Sequence, residues 1–411
     1  MTTHLRTRLL QSDLRELVAP DLLADPYPAY EELRGEPVRM RSGTAVITSY
    51  ADGATALRDE AFVRETMPNF PGRTMRTMAD LLIILNPPKH ARLRSAVTPL
   101  LPPDAMEQVE RRTYEFARNV LAESRSSGGI EIVSELAIPL ALTVVGDLLG
   151  IADRDLDKAK DWAFRLNQAI DSPVPLRATR AIDMPAQLRQ QQVGPRTFAA
   201  MRGSIRYANR VVRHSSHQGN TTVVPSLQKL VAEETINERE AASIWLMFLL
   251  AGIDTVQTML SSAIWLLSKH PEQYECLASD CTLLPAAIDE ILRFESPTRL
   301  FGRVVDRDLS LSGLDLSRSD DVVVIFGAAN RDPEVFPEPH RFDITRARTR
   351  KHLAFGHEIH FCLGAQLARA EATGALRAVI ETLGPAPPRT DHAKWRQSYF
   401  MRSLEQVHLR L

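Results

Sequence analysis

Phe355-Gly356-His357-Glu358-Ile359-His360-Phe361-Cys362-Leu363-Gly364-Ala365-Gln366-Leu367-Ala368-Arg369 is the stretch on which the reading of this 411-residue chain turns. A loop leads into an amphipathic helix whose apolar positions Leu367, Ala370, Leu376, Val379 and Leu383 recur at helical spacing, and Gly384-Pro385 ends it. Cys362 is expected in the first turn of that helix. There, unpaired N–H groups and the positive end of the dipole favour a thiolate, so the sulfur is expected to deprotonate easily. A thiolate is a nucleophile, a redox thiol or a metal ligand. The ordinary reading of a lone cysteine between Phe361 and Leu363 is a small buried hydrophobe. Two neighbours favour a ligand: Gly364 lets a flat group approach the backbone, and His360 offers a proton to an acidic group beside the sulfur.

The loop resembles the haem-ligand signature of the cytochrome P-450 family, Phe-x-x-Gly-x-His/Arg-x-Cys-x-Gly, and the Leu-Ala-Arg after it resembles the continuation. Glu358 stands where that family has a glycine, so a strained or differently bent loop is expected. The resemblance implies haem b (iron protoporphyrin IX) as cofactor, with Cys362 as proximal iron ligand and His360 and Gly364 beside it. Electron donation from the thiolate favours O–O cleavage, and backbone donors beyond Cys362 set its potential.

The totals allow a large enzyme. With 44% hydrophobic residues the chain can bury a large core, and a net charge of -1 gives no reason to expect nucleic acid or a membrane surface as partner. Three cysteines, Cys276, Cys281 and Cys362, make no disulfide framework or metal-finger spacing, which suits a reducing cytoplasm. Met1–Leu17 has no apolar signal core, and the longest apolar runs, Ile138–Val145 and Ile244–Ala251, fall short of the roughly 20 residues a membrane helix needs.

Several further stretches carry chemistry. Asn86-Pro87-Pro88 opens a helix with Asn86 placed as cap, and His90 and Arg94, four apart, share one face suited to a carboxylate or phosphate. Asn237 and Glu240 have capping-box form ahead of a run to Lys269, a helix of roughly thirty residues and on the order of 45 Å, long enough to be central. Inside it, Ala251-Gly252-Ile253-Asp254-Thr255 is locally unfavourable to helix, as local rules tend to be at functional sites; the ordinary reading is a back-bonded Thr255 and a capped Asp254. Glu290 and Arg293 lie three apart on one helix face, Pro339-His340-Arg341-Phe342-Asp343 follows downstream, and Gly302-Arg303 precedes Val304-Val305. Phe62–Leu85 reads as a long loop, and Phe164–Val212 is rich in arginine and broken by prolines. Val38–Met40 and Ala45–Thr48 read as one hairpin, and Arg402–Leu409 as a terminal one.

These stretches resemble the same family in its order from Asp25 to Leu411. The resemblance implies one domain over residues 1–411, mainly α with small β-sheets, with haem between the long helix and the cysteine loop. It implies that His90 and Arg94 hold one haem propionate and Arg303 the other, and that Asp254 and Thr255 are catalytic, feeding protons to dioxygen. It implies that Glu290, Arg293 and Arg341 form a supporting cluster, and that Phe164–Val212 is a lid. Met247, Leu250 and Ala251 are expected in the substrate pocket; Arg64, Arg73 and Arg76 either meet an acidic group on the substrate or are solvated.

The expectation is therefore a cytoplasmic monomeric monooxygenase, inserting one oxygen atom into a small organic, secondary-metabolite-type substrate that is free or carrier-bound. Electrons come from ferredoxin and ferredoxin reductase, with Arg92, Arg111, Arg112, Arg369 and Arg377 as a docking surface. Aryl coupling, epoxidation or nitration on the same scaffold, and a haem sensor without turnover, are the alternatives.

Overall fold

The computed structural model describes residues 2–12, 14–65, 72–171, 194–214, 223–347, 351–391 and 393–411. Its axis is α7, Glu238–Lys269, and the sequence dictates where that helix starts. Asn237 Oδ1 accepts from the backbone N–H of Arg239 and Glu240 at 3.1 and 3.0 Å, while Glu240 returns a carboxylate oxygen to Asn237 N at 3.0 Å. Both sides of the capping box satisfy N–H groups that a helix start leaves orphaned. The 32 residues span roughly 48 Å at 1.5 Å per residue, and the helix is buried along most of that length.

Around α7 pack α4 (Ile138–Leu149), α5 (Leu156–Ile170), α6 (Pro195–His214) and α9 (Ala365–Leu383). Earlier in the chain come α1 (Arg73–Met78), α2 (Lys89–Val97) and α3 (Pro103–Ser124), and α8 (Leu284–Phe294) lies between α7 and α9. Two glycines make the closest contacts possible. A Cβ on Gly252 would stand 2.5 Å from Val145 Cγ2, so its absence lets α4 press on α7. A Cβ on Gly374 would stand 2.3 Å from the Glu110 carbonyl, so α9 lies backbone to backbone on α3. The unfavourable Ala251–Thr255 stretch therefore has a packing reason, and the helix runs through it without a break.

A five-stranded sheet lies to one side, in the order β1 (Val38–Arg39), β2 (Ala45–Ile47), β5 (Asp321–Ile325), β4 (Leu300–Val305), β3 (Phe62–Val63). The first hairpin is present as expected, Val38 opposite Val46, and β2 pairs parallel with β5. Elsewhere the elements differ from expectation. Residues 62–85 are not one loop, because β3, α1 and a 3-10 turn at Leu82–Ile84 lie within them. Leu404–Gln406 and His408–Arg410 do not pair with each other: the first joins Lys394–Trp395 and the second is sandwiched between Gly129–Glu131 and Arg389–Thr390. Their alternating pattern specifies strands, but pattern alone does not name a partner. Within the expected lid, residues 172–193 lie outside the described residues.

Two helices, Ile132–Leu149 and Glu238–Lys269, are long and apolar enough to cross a membrane by length and composition alone, and both are mostly buried in the core.

Candidate functional site

Cys362 lies three residues before α9 begins, not in its first turn. The loop that presents it is closed by a bond from Cys362 N to the Phe355 carbonyl at 2.8 Å and by Phe361 N on the Glu358 carbonyl at 2.9 Å. That second turn sets Glu358 at φ +50°, the left-handed region that favours glycine, so a glutamate is strained there. Its carboxylate sits 3.6 Å from His357 Nε2. The expected easy deprotonation is corrected by burial. Removal from water pushes the thiol up, opposed by a hydrogen bond from Gly364 and by the positive fields of Arg94 and Arg369. A bound metal cation reverses that balance, because a coordinating thiol loses its proton.

Near the sulfur the chain gathers cations. Arg94 on α2 is near enough for the Cys362 sulfur to act on it electrostatically. His90, one turn earlier, is buried, and its ring centroid lies 4.4 Å from that of His360. Asn86 does not cap α2, which starts from Pro88; instead it pins the chain after β3, exchanging 2.8 Å bonds with Arg64 N and O in both directions. This turns Arg64 inward, where its guanidinium packs 4.2 Å from the Phe301 ring centroid and donates to the Gly302 carbonyl at 2.6 Å. Arg303, on β4, packs against the same ring at 4.8 Å.

Burial disfavours the charged form of each member, and for His90, Arg303 and His360 a positive neighbour adds to it. Burial, with Glu65 opposing, brings Arg64 down to about 10; Arg303 is lowered by burial and then by Arg64; His90 is lowered by burial and then by Arg94. His360 is pushed down to about 3 by burial first and Arg303 next. Its Nε2 is 3.0 Å from the Leu85 carbonyl, leaving Nδ1 buried without a partner, as is Arg303 Nη2. Among the described residues no carboxylate pairs with His90, Arg94, Arg303 or His360. A cluster of arginines and histidines, in which Arg303 Nη2 is a buried N–H without a partner, fits a ligand bearing carboxylates, and a lone sulfur beside it fits a soft-accepting metal. The donor set thus fits haem: two propionates for the cations and iron for the sulfur. Arg64 differs from the sequence reading, which offered a contact to an acidic group on the substrate or a solvated charge.

On α7, Asp254 is buried, and its carboxylate is held by Arg396 Nη2 at 2.9 and 3.1 Å. Thr255 donates its hydroxyl to the Ala251 carbonyl. Both side chains therefore take the ordinary positions, back-bonded threonine and paired acid. Ala251 is nonetheless exposed in the middle of this otherwise buried helix, Met247 is half-buried, and the Leu250 carbonyl accepts from Asn167 Nδ2 at 3.1 Å. Ala251 and half-buried Thr255, one turn apart, thus share the accessible part of this face of α7.

The supporting cluster is present with one member exchanged. Glu290 and Arg293, both buried completely, share two 2.7 Å bonds. Arg341 does not join them. Its side chain is exposed against Glu338, only its carbonyl accepts from Arg293, and Arg346 instead reaches Glu290 Oε1 at 3.2 Å. A second clamp, unseen in the sequence, is Asp289: Arg369 from α9 donates to it at 2.8 and 3.0 Å, and His352 Nε2 lies 3.4 Å away. It ties the first turns of α9, and so the cysteine loop, to α8.

Comparison with known proteins gives one answer. The family model described as Cytochrome P450 matches residues 38–397. The chain is 28% identical over 396 residues to the Biotin biosynthesis cytochrome P450 of Bacillus subtilis, covering 94% of this chain and 96% of that one. It is 31% identical over 374 residues to Cytochrome P450 monooxygenase PikC of Streptomyces venezuelae, covering 88% and 84%. Among solved structures, P450BioI in complex with acyl carrier protein ligated to hexadec-9Z-enoic acid superposes with a TM-score of 0.84 at 26% identity, covering 96% of this chain and all of that one.

Proposed function

Because this chain belongs to the cytochrome P450 family and is a haem monooxygenase of that class, we propose that it hydroxylates a small organic substrate of secondary metabolism, delivered on a carrier, with electrons from ferredoxin and its reductase. The observation that carries the site assignment is the cluster of buried His90 and Arg303 with half-buried Arg64, Arg94 and His360, lacking carboxylates of its own except for the nearby Glu65, beside the sulfur of Cys362. Haem, when bound, supplies the redox chemistry that activates dioxygen.

The residues around it bind, orient and move protons. Cys362 would ligate the iron, and the Gly364 N–H tempers the basicity of its sulfur. Arg303 and Arg94, with His90 and His360, would hold the propionates. Thr255 leaves the Ala251 carbonyl to donate a hydrogen bond into the pocket. Asp254 exchanges protons with water when its contact to Arg396 loosens. Ala251, having the smallest side chain that keeps a helix, leaves room for the substrate next to Thr255.

Of the cations expected to dock ferredoxin, Arg92, Arg112, Arg369 and Arg377 are each engaged with an acid, namely Glu240, Asp147, Asp289 and Glu110. Arg111 is exposed, and Ile359 and Phe361 expose apolar surface next to the cysteine. Support for a carrier comes from the P450BioI complex and from the basic face of α6.

The test is spectral first and catalytic second. The reduced, carbon monoxide-treated protein is expected to show a thiolate-haem Soret band that Cys362→Ser abolishes. Ferredoxin-driven turnover of a carrier-bound acyl chain should then give hydroxylated product, and Thr255→Ala should divert reducing equivalents to free hydrogen peroxide. A histidine-ligated spectrum rejects the site; consumption without product in the wild type rejects the activity.

A further inference from the structure

Along α6, Phe198, Arg202, Arg206 and Arg210 recur at intervals of four, and Arg213 follows three later. That spacing puts them on one face over roughly 22 Å. Phe198 is an exposed aromatic, and all four arginines are exposed. Arg73, from α1, closes the other side of a groove of about 570 Å³, and His214 lies at its end; the acid at its edge is Glu238, which pairs with Arg213 and lies 3.8 Å from Arg73.

Like charges at i,i+4 destabilise a helix, and here they are repeated twice without a carboxylate to offset them. Several are held ready. Arg210 packs on the Tyr207 ring at 4.7 Å, Arg213 is held by Glu238 at 3.0 Å, and Arg73 donates to Asn209 at 3.2 Å. Arg202 and Arg206 have no carboxylate partner among the described residues, so their donors face outward. A chain whose net charge is -1 has concentrated positive charge on one face, and exposed aromatic and arginine side chains are the residue types that anchor protein interfaces.

We propose that this face, with Phe198 as apolar anchor and Arg202 and Arg206 as its unpaired cations, docks the acidic helix of a carrier protein that bears the substrate on a phosphopantetheine arm. The inference rests on the carrier-borne reading of the substrate and specifies where the carrier sits. Its place in the fold suits delivery. α1 and α6 both pack on α7, so only this helical layer separates the groove from the helix that carries Ala251 and Thr255.

The test reads docking without turnover, so its failure is seen apart from any failure of oxidation. Haem-loaded enzyme is titrated by fluorescence anisotropy with labelled holo-acyl carrier protein carrying no acyl group, at low and high salt. Wild type is expected to bind more weakly as salt rises, and R202E/R206E to bind at least about tenfold more weakly, with R202Q/R206Q between the two. R318E, in the exposed turn after Leu314–Leu316 and outside the groove lining, is the control and should bind as wild type does. An unchanged carbon monoxide spectrum in each variant verifies the fold. Binding by R202E/R206E within about twofold of wild type overturns the assignment of this face. Absence of saturable carrier binding at low salt, or binding of anionic phosphatidylglycerol vesicles in its place, overturns it equally.

Discussion

Arg396, in the segment after Lys394–Trp395, grips the carboxylate of Asp254 from 142 residues away, with Nη2 at 2.9 Å from one oxygen and 3.1 Å from the other. The acid that the sequence marks for proton delivery is thus tethered to the C-terminal part of the chain, and its freedom depends on how often that tether opens. Arg396→Gln is expected to change the solvent isotope effect on turnover by at least about twofold while leaving the haem spectrum as it is. In an Asp254→Asn background the same change should do nothing, because the two residues act as one unit. Equal effects of Arg396→Gln in both backgrounds would dismiss the coupling.

Glu358→Gly relieves a left-handed φ of +50°. Strain of roughly 1–2 kcal/mol is removed, less the added freedom of glycine in the unfolded chain and the weak contact to His357. A net gain of about 1 kcal/mol in urea unfolding is expected, and a loss would show that the glutamate contributes more than its backbone costs.

Arg293, Arg346 and Arg341 should separate cleanly. Arg293→Ala leaves Glu290 charged and completely buried, at a cost of roughly 3–5 kcal/mol. Arg346→Ala should cost less, and Arg341→Ala, an exposed change, should stay within about 0.5 kcal/mol. If Arg341→Ala proved as damaging as Arg293→Ala, the exchange of partners described above would be wrong.

Gly252→Ala tests whether that glycine serves packing. The new methyl meets Val145 at 2.5 Å, an overpacking cost of roughly 1–3 kcal/mol that exceeds the better helix propensity of alanine, about 1 kcal/mol. Calorimetry should show a lower Tm, restored in part by adding Val145→Ala. A higher Tm in the single variant would argue that α4 yields freely.

His352 supplies a pH dependence. It is buried, its Nδ1 accepts from Ala354 N at 3.2 Å and its Nε2 faces Asp289, an arrangement for the neutral ring. Burial lowers its pKa below 6.5, against the pull of Asp289. A base with a depressed folded pKa binds more protons when unfolded, so its contribution is complete above pH 6.5 and is lost as pH falls below that toward the folded value. The Tm gap between wild type and His352→Asn should therefore narrow from pH 8 to about pH 5. A constant gap would refute the assignment.

What the sequence made legible was local. The capping box of Asn237 and Glu240, the i,i+3 pair Glu290 and Arg293, the first hairpin and the cysteine loop each lie within a few residues, where one turn of backbone decides who meets whom. Partners remote in the chain had no such signal. Arg64 was read as a substrate contact or a solvated charge, Arg346 and Asp289 were passed over, and Arg396 was unread, because each finds its partner only after the fold closes. Cys362 shows a different limit: its place near a helix start was visible, but burial, a property of the whole core, outweighs the local dipole.

The two strands near residue 410 complete separate sheets, one with Lys394–Trp395 and the other with Gly129–Glu131, a partner nearly three hundred positions upstream. Synthesis on the ribosome must therefore leave Gly129–Glu131 without its neighbour until residues 408–410 emerge from the exit tunnel.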